Sequence, residues 1–164
     1  MKIIENIFNE KLFENNIKSC LEKIIIHTGV AKQNKDKNFI KNVFESIKYI
    51  TGQKPTFSKI KKSISNFKSK IGEIAGIYTT LRKNQMIEFY KKLVFVVIPK
   101  IKEFKGFKSS SIDRFGNFHF GIENISVFPD FFKDIKIGFN ISIITKNLKT
   151  NYLNILKKIE FPIE

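Results

Sequence analysis

The chain lacks several features on which common classes of protein depend. Cys20 is its only cysteine, so an intrachain disulfide and a cysteine-based zinc site are excluded, and a small buried apolar role is predicted. The longest uncharged apolar runs, near Leu93–Pro99 and Ile137–Thr145, are far shorter than the ~20 residues that span a bilayer. A phosphate loop of the GxxxxGK type is also absent. The sequence predicts a soluble protein of a reducing compartment.

Acidic residues are scarce, and so is arginine. The chain has 30 Lys and Arg residues against 15 Asp and Glu, a net charge of +15, and only two of the cations are arginines. Residues 23–72 contain twelve lysines and two acids, a net of +10, and residues 46–72 contain no acid. An AT-rich genome, which favours Ile, Asn, Phe and Lys codons, accounts for part of the lysine but not for that acid-free stretch. A polyanionic partner is therefore expected.

Hydrophobic periodicity predicts alternating helices and strands without a repeat or a linker. Helices are predicted over residues 1–21, 39–47, 84–98 and 152–159, the second capped by Asn34 or Asp36 and ended by Gly52 and Pro55. Strands are predicted over Lys23–His27, Phe57–Asn66, Gly76–Arg82 and residues 137–143. This order predicts a single α+β domain over residues 1–164, with an N-terminal helix before a core of 22–162. The sheet, antiparallel or mixed, would carry helices on one face and leave the other free for RNA.

The two predicted strands between residues 57 and 82 have one cationic, hydroxyl-bearing face. Side chains alternate along a strand, so Ile60 and Ile64 would point one way and Lys59, Lys61, Ser63 and Ser65 the other. On the next strand, Ile77, Thr79 and Leu81 would share a face, opposite Tyr78, Thr80 and Arg82. Lysines attract phosphates, hydroxyls bond phosphate or the ribose 2′-OH, and tyrosine stacks on an exposed base. The pattern predicts RNA binding.

Arg82 has two interpretations. In a chain that uses lysine so heavily, a surviving arginine fits a place where a planar, bidentate guanidinium is required. The alternative is an ion pair with Glu88 or another acid.

An enzyme is not predicted. Four acids lie close in sequence, but without a recognisable metal-ligand spacing: Asp113, Glu123, Asp130 and Asp134. His119 has no Ser or Cys neighbour in a triad-like pattern, so a packed or surface ring is expected. No cofactor and no metal are therefore predicted.

Ordered motifs across nearly the whole chain resemble one family of proteins. They are Lys23–Gly29, TGQKP at Thr51–Pro55, KKSISNFK at Lys61–Lys68, TLR at Thr80–Arg82, IPKIKEFKGF at Ile98–Phe107, VFPD at Val127–Asp130 and FP at Phe161–Pro162. The chain resembles the large-subunit ribosomal proteins that bind 5S rRNA, here called the L-five family. The resemblance implies an α+β fold and a structural role on 5S rRNA and large-subunit rRNA in the central protuberance.

The resemblance also implies individual contacts. The RNA contacts carried over are Gln53, Thr80, Arg82 and the strand-end position His27, where the family usually has Asn. The loop at 66–76, with Phe67, Lys68 and Lys70, would reach toward P-site tRNA. Neighbouring ribosomal proteins, including one in the small-subunit head, are implied partners. A free-standing basic RNA-binding module or RNA chaperone is the alternative function.

The chain also departs from the family pattern. Arg114 falls on a glycine position and Phe115 on an arginine position of the usual Asp-Gly-Arg-Gly-Asn, so no role is transferred to Arg114. The N-terminus is shorter than usual, carries three acids and no arginine in its first 16 residues, and does not resemble a cleaved presequence. The end lacks the usual basic tail. These departures favour a protein of the mitochondrial matrix encoded in the organelle, with the cytoplasm of a reduced, AT-rich bacterium as the alternative.

Overall fold

The computed structural model describes residues 2–33, 36–67, 69–101, 106–107, 109–128, 137–146 and 159–162, with the backbone alone at 2–9, 32, 67 and 109. The α-helices and strands in chain order are α1 (Lys2–Cys20), β1 (Leu21–Gly29), α2 (Lys37–Thr51), β2 (Thr56–Lys59), β3 (Ile74–Leu81), α3 (Lys83–Lys92), β4 (Phe118–Ile122) and β5 (Phe139–Thr145). The five strands form one antiparallel sheet in the order β2-β3-β1-β5-β4. The predicted α+β class is confirmed.

Helix α2 is capped at both ends by residues that the sequence predicts, and it is longer than the predicted 39–47. The Asp36 carboxylate accepts hydrogen bonds from the backbone N–H groups of Asn38 (2.9 Å) and Phe39 (3.0 Å), as an N-cap does. Gly52 ends the helix with a φ of 66°, a left-handed conformation that glycine adopts without strain. Asn34, the other predicted cap, lies outside the described residues.

Helix α3 buries the predicted apolar stripe but is less regular than expected. All five residues of that stripe are buried: Met86, Phe89, Tyr90, Leu93 and Val97. After Lys92 the backbone passes into a π-helical turn over Leu93–Val97 and then a 3₁₀ turn over Ile98–Lys100. Pro99 lies in this last turn, where its missing N–H ends the regular helix.

The prediction of a strand over Phe57–Asn66 is wrong beyond Lys59. The register shifts between Ser58 and Lys59, and two backbone bonds then close the hairpin: Ile60 N–H to the Glu73 carbonyl (2.9 Å) and Gly72 N–H to the Ile60 carbonyl (3.0 Å). Residues 60–73 therefore form a loop, longer at its start and shorter at its end than the predicted 66–76. Ile64 is exposed in this loop, so the proposed alternation of Ile60 and Ile64 against lysines and serines does not hold.

Other elements are longer than predicted, or were missed. Strand β1 extends beyond the predicted Lys23–His27 at both ends. Strand β5 buries Phe139, Ile141 and Ile143 as expected. Strand β4 was not predicted, although its residues alternate in burial. Most of the predicted last helix lies outside the described residues.

The chain divides into two compact units. Unit 1 comprises Met1–Ile24, Arg82–Phe120 and Ser142–Glu164, and unit 2 comprises Ile25–Leu81 and Gly121–Ile141. In unit 1, the rings of Phe107, Phe118, Phe120 and Phe161 pack with centroids 4.5–6.1 Å apart. Cys20 is buried, as predicted.

Unit 2 has its own apolar core between α2 and the sheet. Its buried members are Val30, Ile40, Val43, Ile47 and Ile77. Phe57 of β2 stacks on Phe44 of α2 with ring centroids 5.0 Å apart.

Among the described parts of the whole chain, no helix is both long and apolar enough to cross a membrane.

Two buried threonines of unit 2 provide a matched test of this core. Thr28 Oγ1 donates to the Gly138 carbonyl at 2.7 Å, whereas Thr79 Oγ1 has no hydrogen-bond partner within the described residues. A buried hydroxyl without a partner costs free energy, and a satisfied one contributes about 1 kcal/mol. We expect Thr79→Val to raise the free energy of unfolding by about 1 kcal/mol and Thr28→Val to lower it by about the same amount. Urea denaturation of both variants checks this, and shifts in the same direction would contradict it.

Candidate nucleic-acid interface

One face of the sheet in unit 2 is open, and it is the face that the sequence predicts. Along β3, Ile77, Thr79 and Leu81 are buried, while Tyr78 is 39% exposed and Thr80 is half-buried. On β1, Ile26 and Thr28 are buried, and His27 between them is exposed. Because side chains alternate along a strand, His27, Tyr78 and Thr80 point away from the core. We call the surface that carries these residues the open face.

A groove of about 410 Å³ lies on the open face, and its lining includes His27, Gly29, Ser58, Gly76 and Tyr78. Gly76 is buried and packs closely against β1, because a Cβ built there would lie 2.8 Å from the Thr28 carbonyl oxygen. A Cβ built on Gly29 would meet nothing within 4 Å. Gly29 therefore leaves open space where a side chain would otherwise stand, while Gly76 allows β3 to approach β1 closely.

His27 has an amide beside it. Asn140 of β5 brings its Nδ2 to 3.4 Å from His27 Nε2. Because an amide NH₂ group only donates, a hydrogen bond between these two atoms requires the tautomer in which Nε2 accepts and Nδ1 carries the proton. Sequence reasoning did not find Asn140, since it lies 113 residues from His27 in the chain.

The other predicted contacts of unit 2 differ in their surroundings. Lys59 and Lys61 are exposed. Gln53 follows the C-cap of α2, where its backbone N–H donates to Thr51 Oγ1 at 3.3 Å. Its side-chain amide has no partner within the described residues and is half-exposed. Ser63, predicted on the RNA side of a strand, instead accepts from the Ile71 N–H at 3.0 Å, so its hydroxyl braces the loop.

The loop over residues 60–73 is cationic and internally bonded. It contains four lysines and one acid. The Ser69 N–H donates to the Ile64 carbonyl (3.3 Å), and the Lys70 N–H donates to a Glu73 carboxylate oxygen (3.2 Å). Lys70 is exposed, while Lys68 and the Phe67 side chain lie outside the described residues. The loop can present positive charge to a polyanion.

Arg82 belongs to unit 1 and is paired with an acid, although not with Glu88. Its Nη1 lies 3.3 Å from the Glu22 Oε1, and the two side chains are 53% and 44% exposed. The hydrogen bond from Arg82, followed by that from Lys23, lowers the pKa of Glu22. Arg82 is the N-cap residue of α3, whose first turn carries no acid, so the positive end of the helix dipole adds to the guanidinium charge.

The backbone turns sharply beside Arg82. Lys83 has a φ of 52°, a left-handed conformation that costs a non-glycine residue about 1–2 kcal/mol. Strained backbone of this kind is concentrated at functional positions.

Of the four acids considered for catalysis, Asp113 has a structural role, and Glu123 is exposed. Asp113 Oδ1 accepts from the N–H groups of Phe115 and Asn117, both at 2.8 Å, and braces the turn between them. Partial burial raises the pKa of Asp113, but the hydrogen bonds from Asn117, Phe115 and His119 outweigh it and lower the pKa. Asp130 and Asp134 lie outside the described residues. Elsewhere, no three His, Cys, Asp or Glu residues are grouped to hold a metal ion.

His119 has a serine neighbour that its sequence context did not reveal. Its Nδ1 lies 2.9 Å from Ser142 Oγ, and its Nε2 lies 3.5 Å from Asp113 Oδ2. The arrangement resembles a triad in composition only. The Asp113–His119 distance is long, and that carboxylate already accepts from Asn117. His119 is a surface ring, as predicted.

Comparison of the sequence with known proteins points to one family over nearly the whole chain. The sequence model of ribosomal protein L5 matches residues 18–70, and the model of the C-terminus of the same ribosomal family matches residues 74–163. The large ribosomal subunit protein uL5 of Pelagibacter ubique is 40% identical over 146 residues, 87% of this chain and 79% of that protein. The protein of the same name in Baumannia cicadellinicola is 34% identical over 166 residues, covering 98% and 92%. The chain therefore belongs to the ribosomal protein L5 family and is a structural protein of the large ribosomal subunit, not an enzyme.

Proposed function

We propose that this protein binds 5S rRNA in the central protuberance through the open face of unit 2 and through Gln53 and Arg82. The observation that carries the proposal is the open face itself. It exposes His27 and Tyr78, and the chain from residue 46 to residue 81, which includes β2, β3 and the loop between them, contains Glu73 as its only acid. Lys59 and Lys61 supply charge for phosphates, while Thr80 and Tyr78 offer a hydroxyl and a ring to sugar and base. Family membership favours this ribosomal role over a free-standing RNA-binding module.

The loop over residues 60–73 is assigned to P-site tRNA and to a protein of the small-subunit head. Its lysines fit the tRNA backbone, and its exposed Ile64 and Ile71 offer apolar surface to a protein. We place the protein in a mitochondrial ribosome, with a reduced bacterium as the alternative. The uL5 relatives are bacterial, which agrees with the alternative. Finding the gene on an organelle genome or on a bacterial chromosome decides between them.

Filter binding tests the 5S rRNA proposal. We expect the full chain to bind a 5S rRNA transcript more tightly than a tRNA transcript at the same ionic strength. Salt must be fixed, because six phosphate contacts alone change affinity by roughly 10³ between 50 and 200 mM. Equal affinity for the two RNAs would contradict specific binding of 5S rRNA.

A further inference from the structure

The groove on the open face has the dimensions and lining of a ligand site. Its volume of about 410 Å³ falls within the range of roughly 300–1,000 Å³ typical of small-ligand pockets. Gly29 leaves open space in it, Tyr78 and His27 contribute rings, and Ser58 also lines it. Because Gly29 leaves open space in the same groove as the exposed Tyr78 ring, a planar group has room to stack there.

The chemistry of the lining favours a nucleobase. Tyr78 is 39% exposed and offers a ring for stacking. Asn140 Nδ2 lies 3.4 Å from His27 Nε2, so in the tautomer that accepts this bond the Nδ1–H is left to donate to a ring nitrogen or carbonyl of a base. RNA-binding proteins read single-stranded regions in this way, by stacking splayed-out bases and bonding their edges. No acid lines the groove among the described residues, so nothing there repels the phosphates that accompany a base.

We infer that this groove binds one unpaired nucleobase of the RNA, stacked on Tyr78 and hydrogen-bonded by His27. The inference rests on the proposed binding of 5S rRNA and names the group that the open face recognises.

Gly29 allows the groove to be filled without disturbing the fold. Because a Cβ at position 29 would meet nothing within 4 Å and its φ is not left-handed, Gly29→Leu adds a side chain in open space. Gly76 cannot serve, since a Cβ there meets the Thr28 backbone. Tyr78→Ala removes the stacking ring, and Tyr78→Phe keeps it.

The experiment is equilibrium binding of the full chain to a 5S rRNA transcript at one salt concentration. We expect Tyr78→Ala and Gly29→Leu each to weaken binding by about 5- to 150-fold, the range that corresponds to loss of one base–aromatic stack. Tyr78→Phe should bind within about twofold of the wild type, because it keeps the stacking face. Thermal unfolding midpoints close to the wild type confirm that the variants are folded.

A series of 5S rRNAs, each with one abasic nucleotide at an unpaired position, identifies the base. One abasic RNA should bind the wild type more weakly than the intact RNA does. The Tyr78→Ala variant should bind that abasic RNA and the intact RNA with equal affinity. If the wild type binds 5S rRNA specifically and Gly29→Leu binds it equally well, the inference is overturned while the proposed function stands.

Two further outcomes are informative. If Gly29→Leu keeps its RNA affinity but no longer co-sediments with large subunits, the groove holds a protein group instead, and the inference is wrong. If the wild type shows no preference for 5S rRNA, the proposed function fails, and the inference fails with it.

Discussion

Gly76→Ala is expected to lower the free energy of unfolding by about 2 kcal/mol, within the range for forcing an extra methyl group into a packed site. The new Cβ would lie 2.8 Å from the carbonyl oxygen of Thr28, a distance that real Cβ atoms essentially never show. The obstacle is backbone, so no side-chain rotation relieves it.

Two hydrogen bonds limit how far the backbone around Thr28 and β3 can move apart to relieve the clash. Thr28 Oγ1 donates to the Gly138 carbonyl at 2.7 Å, and the Val30 N–H donates to the Ala75 carbonyl at 3.0 Å. Alanine also reduces the entropy of the unfolded chain, a gain of about 0.4–1 kcal/mol that is smaller than the clash. The substitution should therefore destabilise the protein despite this gain.

Gly29→Ala is the matched control, because its Cβ enters open space. Urea denaturation should show it equal to the wild type or slightly more stable. If Gly76→Ala proves as stable as Gly29→Ala, the close approach of β3 to β1 is not as described.

Arg82→Ala is expected to weaken binding to 5S rRNA by about 1–3 kcal/mol, the scale of one good bidentate contact. The guanidinium is about half exposed and already turned toward an oxygen ligand, the carboxylate of Glu22 at 3.3 Å. An RNA phosphate or base edge would displace that carboxylate. Because the pair is exposed, its loss should change folding stability little.

Two further variants separate charge from geometry. Arg82→Lys keeps the charge but loses the planar fork, so it should recover only part of the affinity. Glu22→Gln removes the competing carboxylate and its negative charge, and should leave affinity equal to or above that of the wild type. Filter binding at one salt concentration measures all three, and an affinity unchanged in Arg82→Ala would remove Arg82 from the proposed contacts.

Local signals in the sequence predicted much of the fold. Asp36 and Gly52 bound α2 because capping and left-handed turns depend on neighbouring residues alone. The burial alternation of β3 followed from a period of two, and it placed Tyr78 and Thr80 correctly. Such features need no knowledge of distant partners.

Distant partners explain what the sequence did not predict. The alternation of lysine and isoleucine after Lys59 is typical of a strand, yet the bonds between Ile60 and residues 72–73 close a loop there. Asn140 reaches His27 across 113 residues, and Glu22 reaches Arg82 across 60. Neither pair has a local signal. The sequence could therefore predict which side chains lie on the open face, but not the groove or the amide beside His27.

Crosslinking within isolated large subunits tests most directly whether the open face binds 5S rRNA. Ultraviolet irradiation followed by mass spectrometry of the crosslinked peptides identifies both the protein residue and the RNA. We predict crosslinks from 5S rRNA to Tyr78, Lys59 or Lys61, and none to Lys91, whose ammonium group is held by Glu10 (2.7 Å) and Glu14 (2.8 Å). Crosslinks of 5S rRNA to Lys91 without any to the open face would contradict it.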